Sequence, residues 1–213
     1  MLQNKDRYMY TLYSHWTPNG IKPTIMLEEL AQPYTIKTID IAKGEQFAPE
    51  FLNISPNNKI PVLYDQEHDF YLFESVAILQ YLAEKHGKFL PSSLVEKFSV
   101  VEWCYFQAAH IGPMFGQFGH FHRYAPEPVP YAMQRYANES LRLMGVMEKQ
   151  LQQHQFISGA AYTIADMAIW PWIYCFQEFY QQIIDAKQFP HLLQWYVRLS
   201  ERPAIKAALK SYA

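Results

Sequence analysis

The chain has 213 residues, enough for one large domain or two small ones, and half of these residues are hydrophobic, which suffices for a packed core. The formal net charge is −2, and the chain has no long basic or acidic run, which argues against a nucleic-acid partner. Residues 1–7 lack the apolar stretch of a signal peptide, and no apolar run approaches the ~20 residues that span a bilayer, so we expect a cytoplasmic protein that does not contact membranes.

The first part of the chain alternates strand and helix patterns. Apolar and aromatic runs predict strands at residues 7–13, 34–41, 57–65 and 70–75. Helical spacing of apolar residues predicts helices at residues 21–30 and 75–86. The last two strands are separated by a short polar turn, which favours a β-hairpin. This βαβ–ββα order is the pattern of a thioredoxin-like domain.

The second part of the chain has helical patterns after a Leu-Pro-Ser-Ser linker. Helices are predicted at about residues 94–112 and 130–154. Thr163 and Asp166 have the spacing of a capping box, which predicts the start of a further helix and is expected to serve folding. The sequence therefore favours an α/β domain followed by an all-α domain.

The two cysteines, Cys104 and Cys175, have apolar and aromatic neighbours in predicted helices. This setting is typical of buried, inert thiols. The chain has no Cys-x-x-Cys sequence, so a thioredoxin-like domain in it could not perform dithiol chemistry with its own cysteines. If the protein handles thiols, the reacting thiol has to come from a ligand.

A candidate ligand site follows from residues at the ends of the hairpin. Pro61 cannot donate a hydrogen bond and belongs at a strand start or edge; a cis bond after Ile60 would let the Ile60 backbone face a ligand peptide, although sequence alone does not establish that isomer. Ser75 is expected as the N-cap of a helix whose free N–H groups can bind a carboxylate, and Glu74 can accept an ammonium group. Taken singly, each residue also fits an ordinary cap or edge marker. Together they favour a ligand with an α-amino acid head group.

The order Ile60-Pro61 and then Glu74-Ser75 resembles the glutathione-binding half of the glutathione transferase superfamily. The Ile-Ser-Pro-Asn-Asn-Lys-Ile-Pro sequence at 54–61 and the Thr-Pro-Asn-Gly sequence at 17–20 make the chain similar to bacterial Nu-class transferases and their fungal relatives, which act on disulfides with glutathione. The resemblance covers nearly the whole chain. It implies an N-terminal thioredoxin-like domain at 1–88, a C-terminal helical glutathione transferase domain at 94–213, and a homodimer.

The resemblance also implies roles at the sulfur of glutathione for Thr17 and Asn19. Free thiols have a pKa of ~8.5, and donors aimed at the sulfur lower that value. A hydroxyl and an amide between the first strand and the first helix could supply such donors. The same sequence is also an ordinary turn, and Tyr13 and Ser14 are alternative donors nearby. The Nu-class resemblance favours Thr17 and Asn19.

Three further positions match the family pattern. Gln46 resembles a side chain that contacts glutathione, Lys59 could pair with its glycine carboxylate, and Arg135 could bind a second carboxylate bidentately. Each also fits a solvated surface side chain. The full set of implied glutathione-binding residues is Gln46, Lys59, Ile60, Glu74, Ser75 and Arg135.

Three histidines, His110, His120 and His122, raise the question of a metal site. They have no partnered cysteines, so they are weak evidence for zinc, and we expect no metal. The Gly-rich aromatic segment 116–123 reads as a loop that, with Trp16, shapes the pocket of a co-substrate.

The resemblance implies a glutathione-dependent disulfide-bond reductase with glutathione, as GSH or GSSG, for its co-substrate. A small disulfide would be the second reactant, and proximity of two bound thiols would raise the exchange rate. Two alternatives stay open: a conventional transferase that conjugates an electrophile, and a glutathione-binding regulatory protein without turnover.

Overall fold

The computed structural model describes residues 9–212, which form two compact units. One unit comprises residues 9–88 and 203–212, and the other comprises residues 89–202. The last helix of the chain therefore belongs to the first unit, although it follows the helical segment in sequence. Residues 1–8, which include the start of the predicted strand 7–13 and the segment without a signal-peptide pattern, lie outside the described residues.

A mixed sheet forms the centre of the first unit. Its strands are β1 (Tyr10–Ser14), β2 (Tyr34–Thr38), β3 (Val62–Asp65) and β4 (Phe70–Phe73). The spatial order is β2-β1-β3-β4, with β1 parallel to β2 and antiparallel to β3, and with β3 and β4 in the predicted hairpin. β2 ends three residues before the predicted strand does, because the Asp40 carboxylate accepts hydrogen bonds from the backbone N–H groups of Ala42 and Lys43 and starts a turn.

Helices α1 (Ile21–Leu30) and α3 (Ser75–His86) pack against each other and against the sheet, and both match their predicted bounds. The short helix α2 (Pro49–Leu52) lies in the connection between β2 and β3. The last helix, α9 (Pro203–Lys210), packs along α1. The core of this unit includes the fully buried side chains Tyr10, Leu12, Ile25, Met26, Leu27, Leu63, Ile78 and Leu79.

The second unit is helical. Its helices are α4 (Leu94–Phe106), α5 (Gly112–Gly119), α6 (Pro130–Leu151), α7 (Ile164–Tyr174) and α8 (Pro190–Ser200). The predicted capping box is present at the start of α7, where the Thr163 backbone N–H donates to the Asp166 carboxylate at 3.0 Å. Among residues 9–212, no helix combines the length and the apolar composition needed to cross a bilayer.

The Gly-rich segment after α4 is helical, which corrects two expectations. The predicted helix does not end at residue 112, and residues 116–123 are not a loop: a π-helical turn joins α4 to α5, and a second one follows α5. The glycines permit close packing, since a Cβ atom on Gly119 would overlap the side chain of Tyr180. The glycines here therefore indicate a close contact between packed elements, not a chain reversal.

Candidate functional site

Segments that carry candidate residues meet at one edge of the sheet. Val62, the first residue of β3, is paired with Tyr13 of β1 on one side and with Phe73 of β4 on the other. Because β1 and β4 both run antiparallel to β3, their carboxyl ends lie beside the amino end of β3. β2 is parallel to β1 and leaves the sheet at the same edge, where the Ile39 N–H donates to the Ser14 carbonyl at 3.0 Å. The turn after β1, the residues before β3 and the residues after β4 therefore share this edge.

The turn between β1 and α1 is held by Thr17. Its hydroxyl oxygen accepts a hydrogen bond of 2.9 Å from the Gly20 backbone N–H, and its carbonyl accepts the Ile21 N–H at 3.1 Å. Glycine is required at position 20, because a Cβ atom there would collide with the carbonyl oxygen of His15. The N-cap position of α1 is Gly20, and Thr17 supports it from three residues upstream.

Asn19 and Ser75 are joined through a lysine that the sequence analysis did not single out. The ammonium group of Lys22 donates to Asn19 Oδ1 at 2.8 Å and to Ser75 Oγ at 3.3 Å. Lys22 lies in the first turn of α1 and is 0% exposed. Buried charged groups need polar partners, and these two oxygens provide two of them. The structure therefore connects the turn after β1 with the start of α3 by side-chain hydrogen bonds.

The start of α3 corrects the expectation for Ser75. Glu74, not Ser75, holds the N-cap position, and Ser75 is the first helical residue. Glu74 has a φ of 73° and a ψ of 110°, a conformation that non-glycine residues rarely adopt. Strained backbone conformations of this kind cluster at active sites and ligand-binding sites. Its side chain is exposed and makes no capping hydrogen bond, whereas Ser75 is buried. The arrangement offers a helix N-terminus and an adjacent exposed carboxylate.

The residues before β3 present backbone at the same edge. The Ile60-Pro61 peptide bond is cis. The Ser55 hydroxyl donates to the Lys59 carbonyl at 2.8 Å and accepts the Lys59 N–H at 3.3 Å, so the backbone before Ile60 is fixed by a buried serine. The Lys59 side chain is exposed.

Gln46 lies in a 3₁₀ turn, Glu45–Phe47, in the connection after β2. Its side-chain oxygen is buried and has no hydrogen-bond partner. Buried polar atoms are nearly always paired, so an unpaired one requires an explanation such as a ligand or a water molecule.

The two alternative donors are engaged elsewhere. Ser14 is 0% exposed; its hydroxyl donates to the Gly20 carbonyl at 3.1 Å and accepts from the Tyr212 hydroxyl at the same distance. Tyr13 lies on the opposite face of β1, where its hydroxyl accepts from Lys37 at 3.4 Å and its ring contacts Tyr71. The Ser14 hydroxyl is thus used within the fold, and the choice of Thr17 and Asn19 over Tyr13 stays a prediction.

Arg135 lies on α6 in the helical unit and is exposed. It lines a groove of about 680 Å³ together with Tyr131, Glu139 and Arg142. Arg142 donates two hydrogen bonds to Glu139, at 2.8 and 2.7 Å, and thereby lowers the pKa of that carboxyl group. Arg135 therefore belongs to a cationic groove in its own unit, and its role towards glutathione stays a prediction.

The three histidines considered for a metal belong to the π-helical turns. The His110 ring contacts Phe106 at 5.5 Å between centroids, and the His122 ring stacks on Phe118 at 5.3 Å. Within residues 9–212, the only group of three or more ligand-type side chains within 4.8 Å of one another lies in the first unit and does not include these histidines. The absence of a metal stays an expectation.

That group is Asp65, Glu67 and His68, close to Lys85 at the far end of α3. The Lys85 ammonium lies 2.5 Å from the Asp65 carboxylate and 2.8 Å from that of Glu67, so an ammonium already holds the position that a cation would take. Burial opposes ionisation of Asp65, but its hydrogen bonds, led by that from Lys85, outweigh burial and lower the pKa of Asp65 to about 2. This cluster stabilises the fold away from the edge that carries the candidate site.

Both cysteines are buried in the helical unit, as expected. Cys104 is 4% exposed and Cys175 is 2% exposed, and neither forms a disulfide. Burial raises the pKa of the Cys175 thiol to about 11, which disfavours its reactive thiolate form.

Two residues of this region could not be identified from sequence alone. Lys22 gives a partial signal, because it is a lysine among the apolar residues of α1, and a buried lysine is uncommon. Tyr212 gives no such signal in the sequence. Its hydroxyl lies 2.8 Å from that of Thr24 and 3.1 Å from that of Ser14, two residues that are almost the whole chain away in sequence.

Comparison with protein-family models gives two matches. Residues 9–84 match the model for the N-terminal domain of glutathione S-transferase, and residues 117–212 match that for its C-terminal domain.

Curated relatives and solved structures agree with these matches. The disulfide-bond oxidoreductase YfcG of Escherichia coli is 43% identical over 206 residues, covering 94% of each chain, and YghU of the same organism, also a disulfide-bond oxidoreductase, is 43% identical, covering 92% of this chain and 72% of its own. A glutathione transferase family member from Pseudomonas fluorescens, with two glutathione molecules bound, has a TM-score of 0.89 and 39% identity, covering 97% of this chain and 95% of its own. A glutathione transferase from Pseudomonas putida, with one glutathione disulfide bound per subunit, has the same TM-score and identity, covering 98% and 94%.

Proposed function

The chain belongs to the glutathione S-transferase family, and on this premise we propose that it is a glutathione-dependent disulfide-bond reductase of the Nu type. Two glutathione molecules are the reductant, and a small disulfide is the substrate. The names of the two Escherichia coli relatives support the reaction type, and the Pseudomonas structures with two glutathione molecules or one glutathione disulfide support the stoichiometry.

The observation that carries this proposal is the position of the chain's two cysteines. Both are buried in the helical unit, whereas Thr17 and Asn19 lie at the sheet edge of the first unit. Donors at this edge therefore act on the thiol of a ligand. Their hydrogen bonds stabilise a thiolate relative to the thiol and lower its pKa from ~8.5.

The reaction has two exchange steps. The thiolate of the first glutathione attacks one sulfur of the substrate disulfide, forms a mixed disulfide and releases the other sulfur as a thiolate. The thiolate of the second glutathione then attacks the glutathione sulfur of the mixed disulfide, so that glutathione disulfide forms and the second substrate thiolate leaves. Two glutathione thiols are oxidised, one disulfide is reduced, and each released thiolate takes up one proton.

The binding roles follow the chemistry of glutathione. Glu74 accepts the ammonium group of the γ-glutamyl end, and the start of α3 with Ser75 binds its carboxylate. The backbone of Ile60 faces the peptide of the ligand, and Lys59 pairs with the glycine carboxylate. Gln46 and Arg135 are further ligand contacts in this proposal. The unpaired side-chain oxygen of Gln46 supports its role, and the bidentate geometry of a guanidinium suits the carboxylate that Arg135 would bind.

A binding titration tests the proposal. Calorimetric titration of the purified protein should give two glutathione molecules per chain, or one glutathione disulfide, with an affinity that a Ser75→Ala variant lowers. Saturation at one glutathione per chain, without binding of the disulfide, would favour a conventional transferase that activates a single thiol.

We also propose that the protein is a cytoplasmic homodimer. Exposed apolar side chains on α4 support an interface, since Leu94, Val95 and Phe98 are 73%, 77% and 59% exposed. Free cysteines are typical of reducing compartments, which supports the location. Sedimentation equilibrium at micromolar concentration should give twice the mass of the chain, and replacing Phe98 by Glu should shift the equilibrium to the monomer.

A further inference from the structure

We propose that Lys22 is a positioning residue that directs the hydrogen-bond donors of Asn19 and Ser75 towards bound glutathione. This inference rests on the proposed function and adds a residue to it. Lys22 is 0% exposed, and its ammonium donates to Asn19 Oδ1 at 2.8 Å and to Ser75 Oγ at 3.3 Å.

The orientation of Asn19 follows from the chemistry of the ammonium group. An ammonium has three donors and no acceptor, so the amide of Asn19 has to present its carbonyl end to Lys22. The Nδ2 end, which carries the donors, is then directed away from the ammonium. A thiolate is an acceptor that this end can serve. Without Lys22, the amide could turn and present its oxygen to the thiolate, which would raise the thiol pKa.

Lys22 orients the hydroxyl group of Ser75 in the same way. Its oxygen accepts from Lys22, so the hydroxyl hydrogen is directed to another acceptor. A carboxylate at the start of α3 is such an acceptor, and it also meets the free N–H groups of the helix. One buried ammonium thus orders a donor for the sulfur and a donor for the γ-glutamyl carboxylate.

The charge of Lys22 acts in the same direction. The ammonium is removed from water, and charges interact more strongly across the protein interior than across solvent. Both the thiolate and the carboxylate of glutathione are negative. The Lys22 ammonium is hydrogen-bonded to Asn19 and Ser75, the residues proposed to contact these two groups, and its positive charge favours the ionised form of each group.

The test compares Lys22→Met, which removes the donors and the charge, with Lys22→Gln, which keeps a donor for Asn19 but removes the charge. Two quantities are measured: the dissociation constant for glutathione, and the pKa of the bound thiol from the ultraviolet absorbance of the thiolate against pH. Lys22→Met should weaken binding by about tenfold and raise the thiol pKa by about one pH unit. Lys22→Gln should recover part of the change in thiol pKa, because the amide of Asn19 stays oriented.

Lys85→Met is the matched control. It also removes an ammonium of low exposure from the first unit, but Lys85 lies ten residues after Ser75 on α3, about 15 Å along the helix axis. This variant should lower thermal stability and leave both the dissociation constant and the thiol pKa unchanged. It thereby separates a loss of stability from a change at the site.

The outcomes separate this inference from the proposed function. A wild-type protein that fails to bind glutathione would overturn both. Normal binding and a lowered thiol pKa in the wild type, with the same two values in folded Lys22→Met, would overturn the role of Lys22 alone. If only Lys22→Gln folds, a bound thiol pKa in that variant as high as that of a free thiol would overturn the proposal, because this variant still presents a donor to Asn19. Failure of both variants to fold would assign Lys22 to stability and would also overturn the proposal.

Discussion

The Thr17 hydroxyl oxygen accepts a hydrogen bond of 2.9 Å from the Gly20 backbone N–H. The oxygen is thus used within the turn, and the hydroxyl hydrogen is directed to a different acceptor. In the proposed mechanism that acceptor is the sulfur of glutathione. Thr17 therefore has two proposed roles, one within the turn and one at the ligand sulfur.

Replacing Thr17 by Ala should lower the rate of disulfide reduction by about tenfold or more, since a hydrogen bond to a charged group contributes about 1.5–3 kcal/mol. Glutathione binding should change little, because the γ-glutamyl contacts remain. Thr17→Ser is the matched control, because it keeps the hydroxyl and should keep most of the activity. Unchanged turnover in Thr17→Ala would remove Thr17 from the mechanism.

Replacing both Glu74 and Ser75 by Ala should abolish retention on immobilised glutathione. The double variant loses the carboxylate for the ligand ammonium and the hydroxyl at the start of α3. Glu84→Ala, which removes an exposed carboxylate from the same helix, should be retained like the wild type. If the double variant still binds the column, the γ-glutamyl site lies elsewhere.

Replacing both Cys104 and Cys175 by Ser should leave reductase activity per folded molecule unchanged. Both thiols are buried, and burial raises the pKa of Cys175 to about 11, so neither is a competent nucleophile near neutral pH. The activity has to be normalised to the folded fraction, because polar hydroxyls replace buried thiols. A selective loss of activity in folded protein would show that a protein thiol takes part.

Acid should destabilise the first unit through Asp65. Its pKa in the folded state is about 2, below the ordinary value of 3.8, so the ionised carboxylate stabilises the fold above a pH of about 4, and this contribution is lost as the pH falls towards 2. The contribution is about 2 kcal/mol. Urea unfolding of Asp65→Asn against the wild type should show the difference between them shrinking over this range. Glu84→Gln should track the wild type throughout; a constant difference for Asp65→Asn would rule out this role of the Asp65 carboxylate.

The capping box of α7 gives a graded prediction for stability. Thr163→Ala should lower the free energy of unfolding by about 1 kcal/mol. Asp166→Ala should lower it by about 3 kcal/mol or more, because the buried carboxylate accepts from the Ile157 N–H at 3.0 Å, the Thr163 N–H at 3.0 Å and the Trp195 indole at 2.8 Å, and all three donors would lose their partner. Chemical denaturation measures both values. Equal effects of the two substitutions would indicate that the network around Asp166 adds nothing to the cap.

Local signals in the sequence account for the elements that were predicted well. Helices α1 and α3 and the hairpin of β3 and β4 each combine a clear periodicity with turn or capping residues. The site segments were found for the same reason, since the turn at 17–20 and the residues around Pro61 and Ser75 are local patterns.

Tertiary contacts account for what the sequence did not reveal. The Gly-rich residues of α5 form a helix because their small size lets Trp172 and Tyr180 approach closely. Ser75, 53 positions away in sequence, is one of the hydrogen-bond partners of the buried Lys22, and the Ser14 hydroxyl accepts from Tyr212, which lies 198 positions further along the chain. None of these contacts has a local signature, since each depends on residues far apart in sequence.

Reduction of a disulfide by two bound glutathione thiols can be measured in a side-by-side assay of the purified protein with glutathione. One arm supplies a small model disulfide, and the other supplies an aromatic chloride electrophile. We expect strong reduction of the disulfide, with one glutathione disulfide formed for each substrate reduced, and negligible conjugation. Efficient conjugation without disulfide reduction would contradict the proposed function.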